Sequence, residues 1–276
     1  MTLALALAAG LVIGLSLGAL GGGGSILAVP VLVYLLEQGP AQATTGSLVV
    51  VGVTSLIGAA AAYRAGNVLL GRGLAFGLVA VGGAAVGAKA AAHVAESVLL
   101  AAFSLLMLVV GVVMAVREWR ARHHGRGTGA DPARARFDDP IITFSPTFAC
   151  RCPRALKVLV TATAVGLLTG FLGVGGGFLV VPALLLALAL PVRYAVGTSL
   201  VVITLTSAVA LVVRAGVGVA PDWGVVLPLT AAAAVGGALG ARLADRSDHR
   251  RLSLAFTVLV LGVAVYTAVR ALPAAL

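Results

Sequence analysis

The chain has 276 residues, 61% hydrophobic and 10% charged, with a formal net charge of +10 and a mean hydropathy of +1.12. A soluble domain carries about 25% charged residues, so this composition excludes an ordinary soluble fold and places the chain in a bilayer. The excess of base does not mark a nucleic-acid binder. Nine of the 19 Lys and Arg residues lie between Arg117 and Lys157, in one polar stretch between apolar segments, where retention of positive charge on the cytoplasmic side accounts for them.

The chain is apolar from its first residues, and the first basic residue is Arg64. A secretory leader needs a basic n-region, so the run 3–20 is expected as a retained membrane helix. Further apolar runs follow at 26–36, 47–62, 74–91 and 99–116. After the polar stretch come 156–172, 178–190, 198–213, 224–241 and 252–269. Five segments stand in each half. Most are near the short limit for a bilayer span, and 26–36 and 178–190 are shorter still, which suits broken or re-entrant helices.

Between the first two runs of each half lies a glycine-rich interruption. Gly18-Ala19-Leu20-Gly21-Gly22-Gly23-Gly24-Ser25-Ile26-Leu27-Ala28-Val29-Pro30 corresponds, 152 residues on, to Gly170-Phe171-Leu172-Gly173-Val174-Gly175-Gly176-Gly177-Phe178-Leu179-Val180-Val181-Pro182. Four glycines and the proline coincide. The same offset aligns the stretch from Ala43 to Val50 with that from Ala195 to Val202, and two blocks in one register indicate an internal duplication.

Charge sets the topology. If the two arms around each glycine motif count as an even number of crossings and the polar stretch is cytoplasmic, 16 Lys and Arg fall inside and three (Lys89, Arg214, Arg270) outside. A single kinked crossing at each motif would put the cluster from Arg242 to Arg251 outside, against the positive-inside rule. Each half then makes an odd number of passes, and the repeats are inverted, as in many secondary transporters. The expected architecture is an all-α polytopic membrane protein: a transmembrane repeat over 1–116, a basic cytoplasmic linker over 117–154 and a second repeat over 155–276, with both termini external. The linker, rich in Arg, Gly, Pro and Asp, reads as a flexible connector. Its Cys150 and Cys152 fall short of the four ligands of a closed zinc site, so no metal and no cofactor is expected.

Matching interruptions in the two halves point to the binding site of such a transporter. Glycine turns bare backbone N–H groups to a ligand, and donors of this kind attract anions. The expected substrate-binding residues are therefore Gly21, Gly23, Gly24, Ser25 and Pro30 with Gly173, Gly175, Gly176, Gly177 and Pro182. Thr44, Thr45 and Ser47, with Thr198 and Ser199, are expected to open the next helix of each half, as caps or as donors to a bound oxyanion. Arg64 and Arg214, in matching Arg-Ala-Gly turns, are placed at the two mouths, where they recruit anions or snorkel to the interface. All nine acids lie in loops or at segment ends, and a core lined by donors without carboxylates favours an anion over a cation.

The duplicated G-x-x-G-x-G-G-[SG]-[IF]-L-x-V-P pattern, the G-S-L or T-S-L helix start, the R-A-G turn and the stretches 83–89 and 236–242 resemble the sulfite exporter TauE/SafE family of bacterial and archaeal permeases. The resemblance covers both halves and omits the linker. It implies a substrate among sulfite, sulfonates such as sulfoacetate, and related organic anions, and it points at the two glycine motifs with Pro30 and Pro182 and at Ser47 and Ser199. The first copy departs from the second in having Gly22 for Val174 and Ser25 for Gly177. The expectation is a non-enzymatic secondary transporter in the cell membrane, exporting a small sulfur-containing anion by alternating access. Its partners are the lipid bilayer and the anion, with a homo-oligomer compatible. An anion channel, and a membrane scaffold or sulfur-transfer protein acting through the linker, are the alternatives.

Overall fold

Turns rich in Gly and Pro divide the apolar chain into helices. The computed structural model describes residues 2–20, 22, 24–95, 152–173, 177–188, 192–216 and 220–244, with scattered positions between 98 and 116 and at 190, 218 and 262. The expected linker as far as Arg151, the run 252–269 apart from Gly262, and Gly21, Gly23, Gly175 and Gly176 lie outside the described residues, while Cys152, Pro153 and Arg154, expected in the linker, belong to the helix that follows it. Among the described residues no strand occurs. The helices are α1 (Thr2–Leu20), α2 (Ser25–Pro30), α3 (Pro40–Arg64), α4 (Leu70–Ala91), α5 (Cys152–Leu172), α6 (Gly177–Ala187), α7 (Val192–Gly216) and α8 (Trp223–Ala244).

Local chemistry explains the boundaries. Pro30 lacks an N–H and crowds the carbonyl one turn back, and α2 passes at that point into a π-helical turn, Val31–Leu35. The run expected at 26–36 is thus two pieces. Gly39 is extended, and Pro40 supplies a preset φ for the first position of α3. At its other end Gly66 takes φ 72°, and the N–H groups of Gly66 and Asn67 reach Tyr63 O and Ala62 O at 3.0 and 2.9 Å, closing the helix in a Schellman motif.

The hydroxyl clusters do not open the helices, as the hydropathy of the sequence suggests. α3 begins at Pro40 and α7 at Val192, several residues earlier. Thr44 and Thr45 bond back to Ala41 O, Ser47 to Thr44 O and Ser199 to Val196 O. A hydroxyl satisfied by a carbonyl of the preceding turn sits inside an apolar helix without a cap's role.

Among the described residues four stretches are long and apolar enough to cross a membrane: Pro40–Arg64, Leu70–Ala91, Tyr194–Gly216 and Trp223–Ala241. Large apolar side chains stay exposed on them, among them Leu56, Leu78, Val86 and Val212, as lipid-facing surfaces require. The protein is a polytopic helical membrane protein.

The packing comes in exchanged pairs. α1 lies parallel to α8, with Gly10, Gly14 and Gly18 set in turn on the backbone of Leu229, Ala233 and Gly237. α4 lies parallel to α5, with Gly83 and Gly87 on Thr163 and Leu167. The contact of Gly14 with Ala233 O reappears as Gly166 with Ala80 O, and that of Gly236 with Leu11 O as Gly83 with Thr163 O. α3 and α7, each of 25 residues, cross antiparallel, with Gly52 beside Ser207 and Gly58 beside Leu200. Without a hydrophobic driving force between helices in lipid, such close backbone approach supplies the packing energy. Gly14→Ala or Gly166→Ala sets a methyl on a facing carbonyl. Each is expected to destabilise the fold by about 1–3 kcal/mol, read as a lower melting temperature in detergent.

Candidate functional site

The second glycine turn is built around a buried cation. α5 ends at Leu172, and Gly173 follows at φ 66° with its N–H on Thr169 O at 3.0 Å. Arg214, in the last turn of α7, reaches back to this end. Its Nη2 donates to Gly170 O and Phe171 O, both at 3.1 Å, and its Nη1 donates to Thr44 Oγ1 at 2.8 Å. A cation is favourable at a helix C-terminus, where unpaired carbonyls gather partial negative charge. Ser47 donates to Gly173 O from the same side. Thr44 packs so closely that a Cβ on Gly173 would fall 2.6 Å from Thr44 Cβ.

Arg214 is only 4% exposed, and its Nε has no partner. Its hydrogen bonds go to one hydroxyl and two carbonyls, so no carboxylate among the described residues neutralises it. An isolated buried charge costs several kcal/mol unless a counter-charge arrives. The sequence puts this residue at a mouth, free to snorkel. The structure instead folds it inward over the turn, onto the carbonyls at the end of α5. Arg64 is exposed at the close of α3.

The two glycine turns meet. Gly22, at φ 144°, and Gly177 lie backbone to backbone, with Ser25 Oγ beside Gly177 and donating to Gly22 O at 2.7 Å. Gly24 rests on α1 between Ile13 and Leu17. One region therefore gathers Gly24, Ser25, Thr44, Ser47, Gly173, Gly177 and Arg214 among the expected residues, and adds Gly22. Pro30 is buried in α2, and Pro182 lies within α6. Thr45 bonds only within its own helix. Thr198 sits at the far end of α7, accepting the N–H of Leu69 at 3.1 Å just before α4.

Three buried polar residues with unpartnered side chains escaped the sequence reading. Gln38, 7% exposed, finds no hydrogen-bond partner for either atom of its amide. Ser55 and Ser207 are buried with unpartnered Oγ atoms. The signal for the two serines was present, since the register pairing Ser47 with Ser199 continues to pair Thr54-Ser55 with Thr206-Ser207. Gln38 carries no such signal, because Leu190 stands at the corresponding place. Among the described residues no group of His, Cys, Asp and Glu could hold a metal ion.

Comparison with known proteins agrees with a membrane assignment. The family model described as sulfite exporter TauE/SafE matches residues 6–267. A probable membrane transporter protein of Xylella fastidiosa (strain 9a5c) is 31% identical over 268 residues, covering 96% of this chain and 94% of its own. The probable membrane transporter protein YunE of Bacillus subtilis (strain 168) is 25% identical over 265 residues, covering 91% and 92%. YdhB of the same organism, likewise a probable membrane transporter protein, is 25% identical over 206 residues, covering 75% and 74%. No solved structure matches the chain.

Proposed function

We propose, for a chain that belongs to the TauE/SafE sulfite exporter family and is a membrane transporter, that it exports a small sulfur-containing anion across the cell membrane by alternating access. The observation that carries the choice of an anion is the buried, unneutralised guanidinium of Arg214 on the second glycine turn. Its free Nε–H edge and the backbone of the turn are donors that suit a tetrahedral or pyramidal oxyanion, and an arriving anion supplies the missing counter-charge. The family description, sulfite exporter, supports the same substrate class.

The architecture in this proposal is two inverted repeats, 1–116 and 155–276, joined by a cytoplasmic linker. The exchanged contacts of α1 with α8 and α4 with α5 support it, as does the antiparallel crossing of α3 and α7. So does the recurrence of helix bounds, with Pro40–Arg64 and Val192–Gly216 each 152 residues apart. α1 and α3 both run parallel to α8, so the short piece Ser25–Leu35 turns back between them, which supports a re-entrant reading of the glycine arms. Arg214 then lies in the outer half of the membrane, and rocking of one repeat against the other exposes the site to either side.

Reconstitution into proteoliposomes tests this. Sulfite, thiosulfate and sulfoacetate are offered with and without an imposed potential. An interior-negative potential drives a monovalent anion outward with about 2.3 kcal/mol per 100 mV, so saturable efflux should rise with it. Unsaturable flux would indicate a channel, and no flux of any of the three would remove the substrate class.

A further inference from the structure

Hydroxyls inside these helices follow one habit. Ser47, Thr54, Thr169, Ser199, Thr204, Thr206 and Thr230 each bond a carbonyl three or four residues back. Ser55 and Ser207 do not, although they are 0% and 1% exposed. They are equivalent by position, each the sixteenth residue of its helix, 152 apart in the chain. α3 and α7 cross close to them, where a Cβ on Gly52 would lie 3.3 Å from Ser207 Cβ. An orphan buried hydroxyl costs about 1–3 kcal/mol, and alanine would remove that cost without leaving a hole of any size. A chain that keeps two such hydroxyls where its central helices cross has a use for them.

We infer that Ser55 and Ser207 form a second anion station, midway through the membrane, on the path that leads to Arg214. The inference rests on the transport reading above. Ser207 and Arg214 are seven residues apart and so share one face of α7, about 10 Å from each other along its axis. An anion entering from the cytoplasmic side meets the two hydroxyls before it reaches the guanidinium edge. Two O–H donors without charge replace part of its hydration shell and bind it weakly, which is what an intermediate stop needs if the ion is to move on. A cation is a poor occupant. It would need about six oxygen ligands, whereas the helix carbonyls nearby are engaged and no carboxylate cluster is found among the described residues.

The test is the double variant Ser55→Ala/Ser207→Ala, with both single variants and Ser207→Thr, in proteoliposomes loaded with sulfite, thiosulfate or sulfoacetate. Three quantities are read: maximal flux, equilibrium affinity for the same anion, and melting temperature. The station predicts that the double variant loses maximal flux about tenfold, keeps its affinity within about twofold because Arg214 is intact, and melts at or above the wild-type temperature. Ser207→Thr, which keeps the hydroxyl, should retain most of the flux. Wild-type flux in the double variant overturns the station and leaves the transporter reading standing. A flux loss that accompanies a lower melting temperature also overturns it, since the hydroxyls would then be structural. A wild-type protein that carries none of the three anions removes the transport reading itself, and the station with it.

Discussion

Arg214→Gln is expected to insert and fold, and to carry its anion about a hundredfold more slowly than the wild type. Glutamine retains donors that can reach Gly170 O or Phe171 O, so the end of α5 keeps part of its cap. What it lacks is charge. A hydrogen bond to a charged group contributes about 1.5–3 kcal/mol, and the upper end of that range corresponds to about two decades in rate if the bond is made in the rate-limiting state. Arg214→Lys separates the components, because it keeps the charge but offers a compact ammonium in place of the planar fork. It should show intermediate flux with weakened affinity. Arg64→Gln provides the contrast. That residue is exposed at the end of α3, where its charge is already solvated, and its loss should change flux by less than about twofold. Initial rates over a range of anion concentrations, at matched protein content, read all three. Equal flux for Arg214→Gln and wild type would show that the buried charge serves the fold alone.

How far the sequence foretold this site depends on what each residue answers to. The glycine motifs were legible because they repeat, and repetition at one offset is visible without any structure. Their contact at Gly22 and Gly177 was not, since which turn meets which depends on the exchange of α1 and α5 between the halves. The helices followed from hydropathy, but their starts did not. A hydropathy run begins at Ser47, whereas α3 begins at Pro40, because back-bonded threonines are compatible with an apolar helix. Arg64 and Arg214 read alike in the sequence, in the same Arg-Ala-Gly context. Only the neighbours distinguish them: carbonyls of a helix end for one, solvent for the other. Ser55 and Ser207 were hidden by their surroundings. A serine within an apolar helix is ordinarily silent, and it is the missing hydrogen bond that makes these two conspicuous.

Gly177→Val is expected to reduce flux below detection while leaving the protein in the membrane. A Cβ at Gly177 would fall 2.6 Å from Gly22 O, 2.7 Å from Gly22 Cα and 2.9 Å from Ser25 Oγ. Two of those atoms are backbone in a turn whose own φ of 144° is open to glycine and strained for other residues, so Gly22 cannot swing aside as a side chain would. The two turns must therefore separate. Separation spoils the contact between the arms of the two halves, and with it the geometry around Gly173, Ser47 and Arg214. The long helices pack through other contacts, chiefly α1 on α8 and α4 on α5, so insertion should survive. Gly177→Ala, with a single methyl, should leave measurable flux and a smaller loss of stability. Gly66→Ala is the control for backbone strain alone. Its φ of 72° is equally unfavourable to alanine, but no atom lies within 4 Å of the added Cβ, so about 1 kcal/mol of stability should go with flux unchanged. If Gly177→Val transports at the wild-type rate in equal amount, the junction of the turns is not part of the transport path. If Gly66→Ala fails as badly as Gly177→Val, strain rather than the meeting of the turns is the cause.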